Sequence, residues 1–208
     1  MTTASLMVDG AAPVVLASAS AIRATMLRNA GIRVETMPAR VDEHAIKASM
    51  RAEHAPPRDQ ADTLAELKAI RISIRSPGRL VIGADQVLAF DGGVIDKPAD
   101  HAEARDQLER LSGEQHDLLS AAVIALDGEA IWRHVGRARL AMRRLSPGFI
   151  DRYLAAMGPR VLDTVGGYML EAEGAQLFSR IDGDYFTVLG LPLLPVLGYL
   201  RDRGVLEA

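Results

Sequence analysis

Short apolar runs and longer amphipathic segments are interspersed along this chain. A short apolar run bounded by turn residues predicts a buried strand, whereas apolar residues every three or four positions predict a helix with one buried face. The predicted strands are 14–17, 32–37, 80–90, 93–95, 117–126, 129–132 and 135–143. The predicted helices are 20–30, 42–52, 59–75, 100–111, 146–157 and 193–203. Because the two kinds of element mix without strict alternation, we expect one α/β domain with a mixed sheet at 14–208, after an N-terminal extension at 1–13.

The longest amphipathic segment, 59–75, predicts which face of its helix is buried. Leu64, Leu67, Ile70 and Ile74 recur at helical spacing in this segment. Apolar residues at such spacing form a stripe that faces the core, so we expect these side chains to pack against the sheet.

The amino-acid composition excludes several kinds of chemistry. The 208 residues include no cysteine, which excludes disulfides, thiol catalysis and cysteine-bound zinc, and the five histidines lack a paired zinc spacing. A formal net charge of −3 gives no general attraction for DNA or RNA. The first residues lack the pattern of a signal peptide, and no stretch is apolar enough to span a membrane. We therefore expect a soluble cytoplasmic protein without nucleic-acid or membrane partners.

The most informative segment is 81–86, where an apolar run ends in Gly83, Ala84 and Asp85. Small residues let a ligand or another backbone approach closely. A carboxylate at the end of a buried strand costs free energy unless it binds something. The segment therefore predicts a functional carboxylate at Asp85.

Lys97 is the cation that we expect beside Asp85. A hairpin that turns at residues 91–93 places Lys97 opposite Val87, on the same face as Asp85. Asp85 can then deprotonate a metal-bound water while Lys97 neutralises phosphate. A plain structural ion pair is the alternative.

Ser18, Ser20 and Arg23 lie between a strand and a helix and form a second candidate site. Hydroxyls and free amide groups at a helix start bind anions. The alternative is that Ser20 only caps the helix, but a capping box has Glu or Gln three residues after the cap. Arg23 stands there instead, where its charge opposes the helix dipole unless an anion binds beside it.

Two further segments carry candidate carboxylates. Asp42 and Glu43 follow a strand and can hold Mg²⁺ or Mn²⁺ through oxygen, although acidic residues are also common at solvated helix starts. Gly166 and Gly167 predict a tight backbone approach before Glu171, whose carboxylate can accept hydrogen bonds from a base edge. A glycine-rich bend that carries a surface glutamate is the alternative.

A series of short motifs, taken in order and spacing, resembles the Maf family of nucleoside triphosphate pyrophosphatases. The resemblance covers nearly the whole chain, from about residue 14 to about residue 200. The matching motifs are LASAS at 16–20, VDE at 41–43, KA at 68–69, VIGAD at 81–85, DKP at 96–98, LSG at 111–113, DTVGGY at 163–168, DY at 184–185 and VLGLP at 188–192.

The resemblance implies hydrolysis of a nucleoside triphosphate to a monophosphate and pyrophosphate with a divalent metal, Mg²⁺ or Mn²⁺. It also implies an elongated mixed sheet flanked by helices, two lobes with a central cleft, and a homodimer. By position, Asp85 is expected to accept the proton of the attacking water, and Glu43 to bind metal or water with it. The expected contacts to the substrate are Ser18, Ser20, Arg23, Lys68 and Lys97.

Three positions govern base preference in this family, and here they hold Ile22, Gln86 and Glu171. In the branch acting on dTTP and UTP they carry Arg, Thr and Gln, whereas Gln86 and Glu171 resemble the branch that prefers 7-methyl-GTP. A carboxylate suits the N–H groups of a guanine edge, and methylation makes that purine cationic. The resembling branch has Trp where this chain has Ile22 and Pro where it has Ala21, so an aromatic stacking platform is missing.

Two other functions compete with this interpretation. The first is a non-hydrolytic nucleotide-binding regulator of cell division, because position 22 lacks the arginine of the dTTP and UTP branch. The second is a glycosidase with paired carboxylates, although cations around Asp85 suit phosphate better than a neutral sugar. Release of pyrophosphate from a panel of nucleotides distinguishes the pyrophosphatase from the regulator, which would bind nucleotides without release.

Overall fold

The structure is a computed structural model and describes residues 6–207. Its strands are β1 (Val14–Leu16), β2 (Val34–Thr36), β3 (Val81–Phe90), β4 (Gly93–Ile95), β5 (Gln115–Leu126), β6 (Glu129–Met142) and β7 (Phe178–Asp182). Its helices are α1 (Ala21–Asn29), α2 (Glu43–Ala52), α3 (Pro57–Ser73), α4 (His101–Leu111), α5 (Pro147–Met157), α6 (Tyr185–Val188) and α7 (Leu193–Asp202). The predicted α/β class is confirmed.

The described strands form one mixed sheet in the order β2-β1-β3-β5-β6-β7, with β4 beside β3. β1 pairs in parallel with β2 and β3, and the other pairs are antiparallel. β3 is central, because β5 covers one of its edges while β1 and β4 share the other. β1 pairs with Val81 and Ile82, and β4 pairs from Leu88 onward. Residues 83–87 therefore have no strand neighbour on that edge within the described part of the chain.

Helices cover both faces of the sheet. On one face, Ala61, Ala65 and Ala69 of α3 pack with Val87 and Ala121. On the other face, two larger groups of buried side chains lie at opposite ends of β3, one including α1 and α7 and the other including α4 and α5. Successive residues of a strand point to opposite faces, so adjacent positions of β3 serve different layers of the molecule.

The buried face of α3 differs from the predicted one. Leu64 is buried as expected, but Leu67 is 38% exposed and Ile74 is 67% exposed. The face against the sheet carries small side chains instead, among them Ala61, Ala65 and Ala69. Periodicity alone pointed to the larger side chains, whereas the close contact of helix and sheet leaves room only for small ones.

Gly83 explains why α3 lies so close to β3. A Cβ added to Gly83 would lie 2.1 Å from the carbonyl oxygen of Ala65 and 2.6 Å from the amide nitrogen of Ala69. Any side chain at this position would therefore push the helix away. The prediction of close approach at Gly83 is correct, and the approaching group is the backbone of α3.

One long strand, β6, replaces the two predicted strands at 129–132 and 135–143. Arg133 and His134 interrupt the apolar pattern because both side chains are exposed, and the backbone continues through them. Arg133 pairs across the sheet surface with Asp62 and Glu66 of α3. Two consecutive exposed polar residues inside a continuous strand therefore look like the end of one strand and the start of another.

The two chain ends meet in the fold. The predicted extension at 1–13 lies partly outside the described residues, and Leu6 onward packs on the domain. The amide of Leu6 donates to the carbonyl of Gly31 at 3.0 Å, and Met7 forms a bridge with Leu206. Among the helices of residues 6–207, none combines the length and the apolar character needed to cross a bilayer.

Candidate active site

Lys68 joins two carboxylates at the middle of β3. Its Nζ lies 2.6 Å from Oδ1 of Asp85 and 2.8 Å from Oε1 of Glu43. The side chains of Lys68 and Asp85 are only 8% and 7% exposed, while that of Glu43 is 44% exposed. Burial opposes ionisation of Glu43, but the hydrogen bond and charge of Lys68 hold the pKa of that carboxyl below its ordinary value. Glu43 is therefore ionised at neutral pH.

The sequence builds this contact from three separate segments. Asp85 lies on the face of β3 that packs against α3, opposite Ala121 of β5. The close approach at Gly83 brings α3, and with it Lys68, onto that face. Glu43 is the first residue of α2, which Asp42 caps by accepting from the amide of Ala45 at 3.0 Å. Of the two adjacent carboxylates at 42–43, only Glu43 pairs with Lys68, the partner of Asp85.

Arg23 reaches from α1 into the gap in the edge of β3. Its Nη1 donates to the carbonyl of Ala84 at 2.9 Å and to Oγ of Ser18 at 3.2 Å. Its Nε donates to the carbonyl of Gly190 at 2.7 Å. Burial lowers the pKa of Arg23, and the negative charges of Asp85 and Glu43 act against that shift. The guanidinium is thus held in place by backbone oxygens beside both carboxylates.

Ser18 and Ser20 have different surroundings. Ser18 is buried, and its Oγ accepts from Arg23 and from the amide of Ser20. Ser20 is the N-cap of α1, with its Oγ accepting from the amide of Arg23 at 3.5 Å. The structure therefore brings Ser18 to the carboxylate site, whereas Ser20 has the capping role that the sequence left as the alternative.

The sequence did not indicate Lys47 and Asp96 as site residues. Nζ of Lys47 lies 3.0 Å from Oδ1 of Asp96, and Nη2 of Arg51 lies 2.5 Å from Oδ2. Burial opposes ionisation of Asp96, yet these two hydrogen bonds hold its pKa below the ordinary value. No residue of α2 is fully buried, so ion pairs from Glu43, Lys47 and Arg51 provide much of its attachment. Lys47 follows Glu43 by one helical turn, a spacing that could have revealed it.

The predicted position of Lys97 is wrong by one residue. Asp91 and Gly92 form a tight turn with positive φ at both positions, and Leu88 pairs with Ile95. This register points to Asp96, not Lys97, opposite Val87. Lys97 is exposed just beyond β4, and its charge contributes to the lowered pKa of Glu43. No carboxylate of the described residues pairs with Lys97, which leaves its ammonium available to an anion.

A pocket on the opposite face of β3 brings together the three expected specificity positions. Ile22, Gln86 and Glu171 line one pocket, although they come from α1, β3 and the loop after the 3₁₀ turn Val165–Gly167. Its remaining lining is mostly apolar and consists of Leu118, Thr164, Val165, Tyr168, Met169, Leu170, Val188 and Leu189. Glu171 is exposed at this pocket. The predicted tight bend is present, since Gly166 and Gly167 both have positive φ.

Gln86 is held by a set of neutral hydrogen bonds. Its Nε2 lies 3.0 Å from Oγ of Ser120 and 3.1 and 3.0 Å from the carbonyl oxygens of Thr187 and Val188. Two carbonyls fix the amide orientation, because an amide oxygen in their direction would repel them. Ser120 is fully buried and also donates to the carbonyl of Thr187 at 2.8 Å. Ser120 is a single serine within the apolar run of β5, and this feature of the sequence could have indicated its role.

Comparisons with known proteins show the family of this chain. A family model described as Maf-like protein matches residues 13–203. The chain belongs to the Maf-like protein family. It is 53% identical over 192 residues to a nucleoside triphosphate pyrophosphatase of Roseobacter denitrificans, covering 92% of this chain and 96% of the relative. It is 51% identical over 194 residues to a 7-methyl-GTP pyrophosphatase of Mesorhizobium japonicum, covering 93% and 98%.

A crystal structure of a nucleoside-triphosphatase, a dITP/XTP pyrophosphatase from Mycobacterium abscessus, is also similar. The two sequences are 18% identical and the TM-score is 0.37. The matched region covers 71% of this chain and 100% of the Mycobacterium abscessus chain. So distant a likeness carries no argument about the site.

The donors of this Maf-like site fit a hard divalent cation in part. Oδ2 of Asp85 is buried and has no hydrogen-bond partner. Glu43 lies across Lys68 from it and offers the second carboxylate. In the described residues, no group of three or more His, Cys, Asp or Glu side chains could enclose a metal. Mg²⁺ commonly binds through one or two carboxylates, with substrate phosphates and water completing its shell, and this donor set suits that mode.

Proposed function

We propose that this Maf-like chain hydrolyses a nucleoside triphosphate to a nucleoside monophosphate and pyrophosphate. The observation that carries the proposal is the buried Lys68 between Asp85 and Glu43, with Oδ2 of Asp85 left unpaired. Two relatives that are 53% and 51% identical to this chain are named as pyrophosphatases, which supports the same reaction.

The cations of the site would bind the triphosphate. Arg23 lies beside both carboxylates, and the charges of Lys47 and Lys97 act on Glu43. A polyanion can compete with Asp96 for Lys47, and it meets no competing carboxylate at Lys97. Fixed cations in a partly buried site stabilise the charge that develops on the leaving pyrophosphate.

Asp85 is the residue proposed to activate water. Oδ1 is bonded to Lys68, so Oδ2 is free to take the proton as the water oxygen bonds to the α-phosphorus. The bond from that phosphorus to the oxygen bridging the α- and β-phosphates breaks, and the bridging oxygen leaves with pyrophosphate. Lys68 holds Asp85 in the orientation needed for this transfer.

We further propose dependence on Mg²⁺ or Mn²⁺. Asp85 and Glu43 would hold the ion, which supplies Lewis-acid polarisation of the phosphate and a more acidic water. The partly exposed carboxylate of Glu43, which Lys68 links to Asp85, supports this proposal. Removal of divalent cations with a chelator should stop the reaction, and their return should restore it.

For the base, we propose a guanine-type ring such as that of 7-methyl-GTP. Gln86 presents its oxygen as an acceptor because its nitrogen is bonded to carbonyls, and Glu171 adds a second acceptor to the same pocket. Two acceptors suit a ring edge that donates through N–H groups. Ile22 offers apolar contact in place of an aromatic stack.

We also propose a cytoplasmic homodimer that acts on free nucleotides and not on nucleic acid. The net charge of −3 supports the choice of a small substrate held by local cations. Leu67 and Ile74 leave apolar surface on the outer side of α3, which supports self-association. Light scattering on the purified chain measures the subunit number.

Incubation with nucleoside triphosphates, 7-methyl-GTP and Mg²⁺ or Mn²⁺ tests the reaction by release of pyrophosphate. We expect Asp85→Asn to abolish release while the melting temperature stays near that of the wild type. Asp182→Asn, an exposed change on β7, is the matched control and should retain activity. Binding of nucleotides without release would favour the regulator of cell division, and full activity of Asp85→Asn would remove Asp85 from its role.

A further inference from the structure

Two buried tyrosine hydroxyls contact the bend that leads to Glu171. The hydroxyl of Tyr153 on α5 donates to the carbonyl oxygen of Gly167 at 3.1 Å. The hydroxyl of Tyr168 lies 2.7 Å from Nε2 of His116 on β5. All three of these side chains are buried. A helix on one side and the sheet on the other therefore hold two consecutive residues of the chain.

The bend itself has an uncommon backbone conformation. Gly166 and Gly167 have φ angles of +75° and +68°, which residues with a side chain rarely adopt. The ring of Tyr168 folds back over the bend, because a Cβ added to Gly166 would lie 2.8 Å from Cε1 of that ring. The same ring meets Phe178 edge to face at 4.8 Å. Since glycine is flexible on its own, tertiary contacts such as these must select the observed conformation.

Glu171 follows the bend in a tight turn. The amide of Ala172 donates to the carbonyl of Met169 at 3.2 Å, which closes a turn over residues 169–172. Glu171 is the third residue of this turn, and the turn begins directly after Tyr168. A shift of the bend therefore moves the carboxylate of Glu171 within the base pocket.

The hydroxyl groups carry more information than the rings of these tyrosines. A phenylalanine would fill the same space, whereas a buried hydroxyl costs free energy unless it has a partner. Burial raises the pKa of both Tyr153 and Tyr168, so both hydroxyls stay protonated at neutral pH. The charge of Glu171 also contributes to the shift at Tyr153, which means that the carboxylate lies near this hydroxyl.

We propose that Tyr153 and Tyr168 are positioning residues for base selection, whose hydroxyls hold the bend so that Glu171 faces the base. The inference rests on the proposed function, in which Glu171 accepts hydrogen bonds from the base. Such bonds weaken steeply with poor geometry, so a displaced carboxylate discriminates less between bases. Both tyrosines lie on the face of β3 opposite Asp85, so they should influence the choice of base and not the hydrolytic step.

Tyr153→Phe removes one hydroxyl and keeps the ring. We expect the ratio of kcat/KM for 7-methyl-GTP to that for GTP to fall about threefold, which is less than the loss expected when Glu171 itself loses its charge. The change should appear in KM for 7-methyl-GTP, with kcat near that of the wild type. Tyr168→Phe should act in the same direction. Tyr199→Phe, on a tyrosine of α7 that stacks on Trp132, is the matched control and should leave the ratio unchanged.

A double-mutant cycle with Glu171→Gln distinguishes positioning from a purely structural role. If Tyr153 acts through Glu171, then Tyr153→Phe should change the ratio no further once Glu171→Gln is present. A structural role alone would lower the melting temperature and leave the ratio unchanged. A ratio within about 1.5-fold of the wild type in both tyrosine variants would overturn the proposal, and so would an equal fall with and without the Glu171 carboxylate.

The loss of one hydroxyl is small compared with the stability of a domain, so both variants should fold. The melting temperature checks this, and if Tyr153→Phe does not fold, Tyr168→Phe decides by the same cycle. Absence of pyrophosphate release from every nucleoside triphosphate would count against the proposed function. Release with an unchanged ratio in the tyrosine variants would count against the positioning role alone.

Discussion

On one face of β3, Asp85 is held by the charge of Lys68, whereas on the opposite face Gln86 is held by neutral hydrogen bonds. The two residues are neighbours in the sequence, and the alternation of a strand separates them. We propose that the charged face meets groups that all triphosphates share, and that the neutral face meets groups that differ from one nucleotide to another. The comparison therefore predicts that changes on the charged face reduce activity on every nucleotide equally, and that changes on the other face alter preference.

Lys68→Met gives the largest expected effect. It leaves Asp85 and Glu43 without the cation between them, which raises the pKa of the Glu43 carboxyl and frees Asp85 to move. We expect kcat/KM to fall by about 10³, by the same factor for each nucleotide tested. Arg71→Met, on the exposed side of α3, is the control. A loss of kcat/KM that differs about tenfold between nucleotides would contradict the assignment of shared groups to one face and variable groups to the other.

His116 tests the stability of the neutral face. It is buried, lies 2.7 Å from the hydroxyl of Tyr168, and burial lowers its pKa from 6.5 to about 4. The unfolded chain takes up this proton at a higher pH than the folded chain. The contribution of neutral His116 to the free energy of unfolding should therefore be complete above pH 6.5. It should fall by about 3 kcal/mol as the pH drops toward 4.

Urea denaturation at several pH values measures this fall. His116→Gln can keep a hydrogen bond to Tyr168 but does not titrate, so its stability should depend less on pH over the same interval. An identical pH dependence in the variant would show that other groups cause the loss.

Glu171→Gln should change preference without changing the chemistry. The variant removes a negative charge from the base pocket, and a cationic 7-methyl-guanine loses more than a neutral guanine does. We expect the ratio of kcat/KM for 7-methyl-GTP to that for GTP to fall about fivefold, as for an exposed charge pair. Glu173→Gln, two residues away and paired with Arg160, is the matched control. An unchanged ratio would exclude Glu171 from base recognition.

Asp96→Asn has the smallest expected effect on the charged face. It weakens the attachment of α2 through Lys47 and Arg51 but leaves Asp85, Glu43 and Lys68 in contact. We expect KM to change about threefold for all nucleotides, with kcat nearly constant, because partly exposed ion pairs contribute little. Steady-state kinetics at low and high salt measure the change. Asp151→Asn, which removes a surface ion pair of α5, controls for the loss of charge.

The charged face was more predictable from the sequence than the neutral face. Asp85 was indicated because a carboxylate at the end of an apolar run needs a partner. Gly83 was indicated because a small residue permits another backbone or a ligand to approach closely. Glu43 and Arg23 were indicated by charges at helix starts. Electrostatic cost is a property of residue type, so it can be inferred before the fold is known.

The neutral face depends on contacts between distant segments. Gln86 is fixed by carbonyls of Thr187 and Val188, about a hundred positions away, and no residue type reveals a backbone oxygen. On the charged face, the register of Lys97 was also missed, because a turn shorter than the predicted one moves every later residue by one. The buried face of α3 was missed because the prediction followed the spacing of the large apolar side chains. The alanines that face the sheet were not considered. Such features follow from packing and not from composition.

The gap at residues 83–87 has a consequence for self-association. An unpaired stretch in a central strand can accept a strand from a second molecule and so start aggregation. Here β1 and β4 flank the stretch closely, and Arg23 already occupies the carbonyl of Ala84. A partly buried cation disfavours the approach of a further peptide strand, so the side chain of Arg23 also protects the sheet from foreign strands.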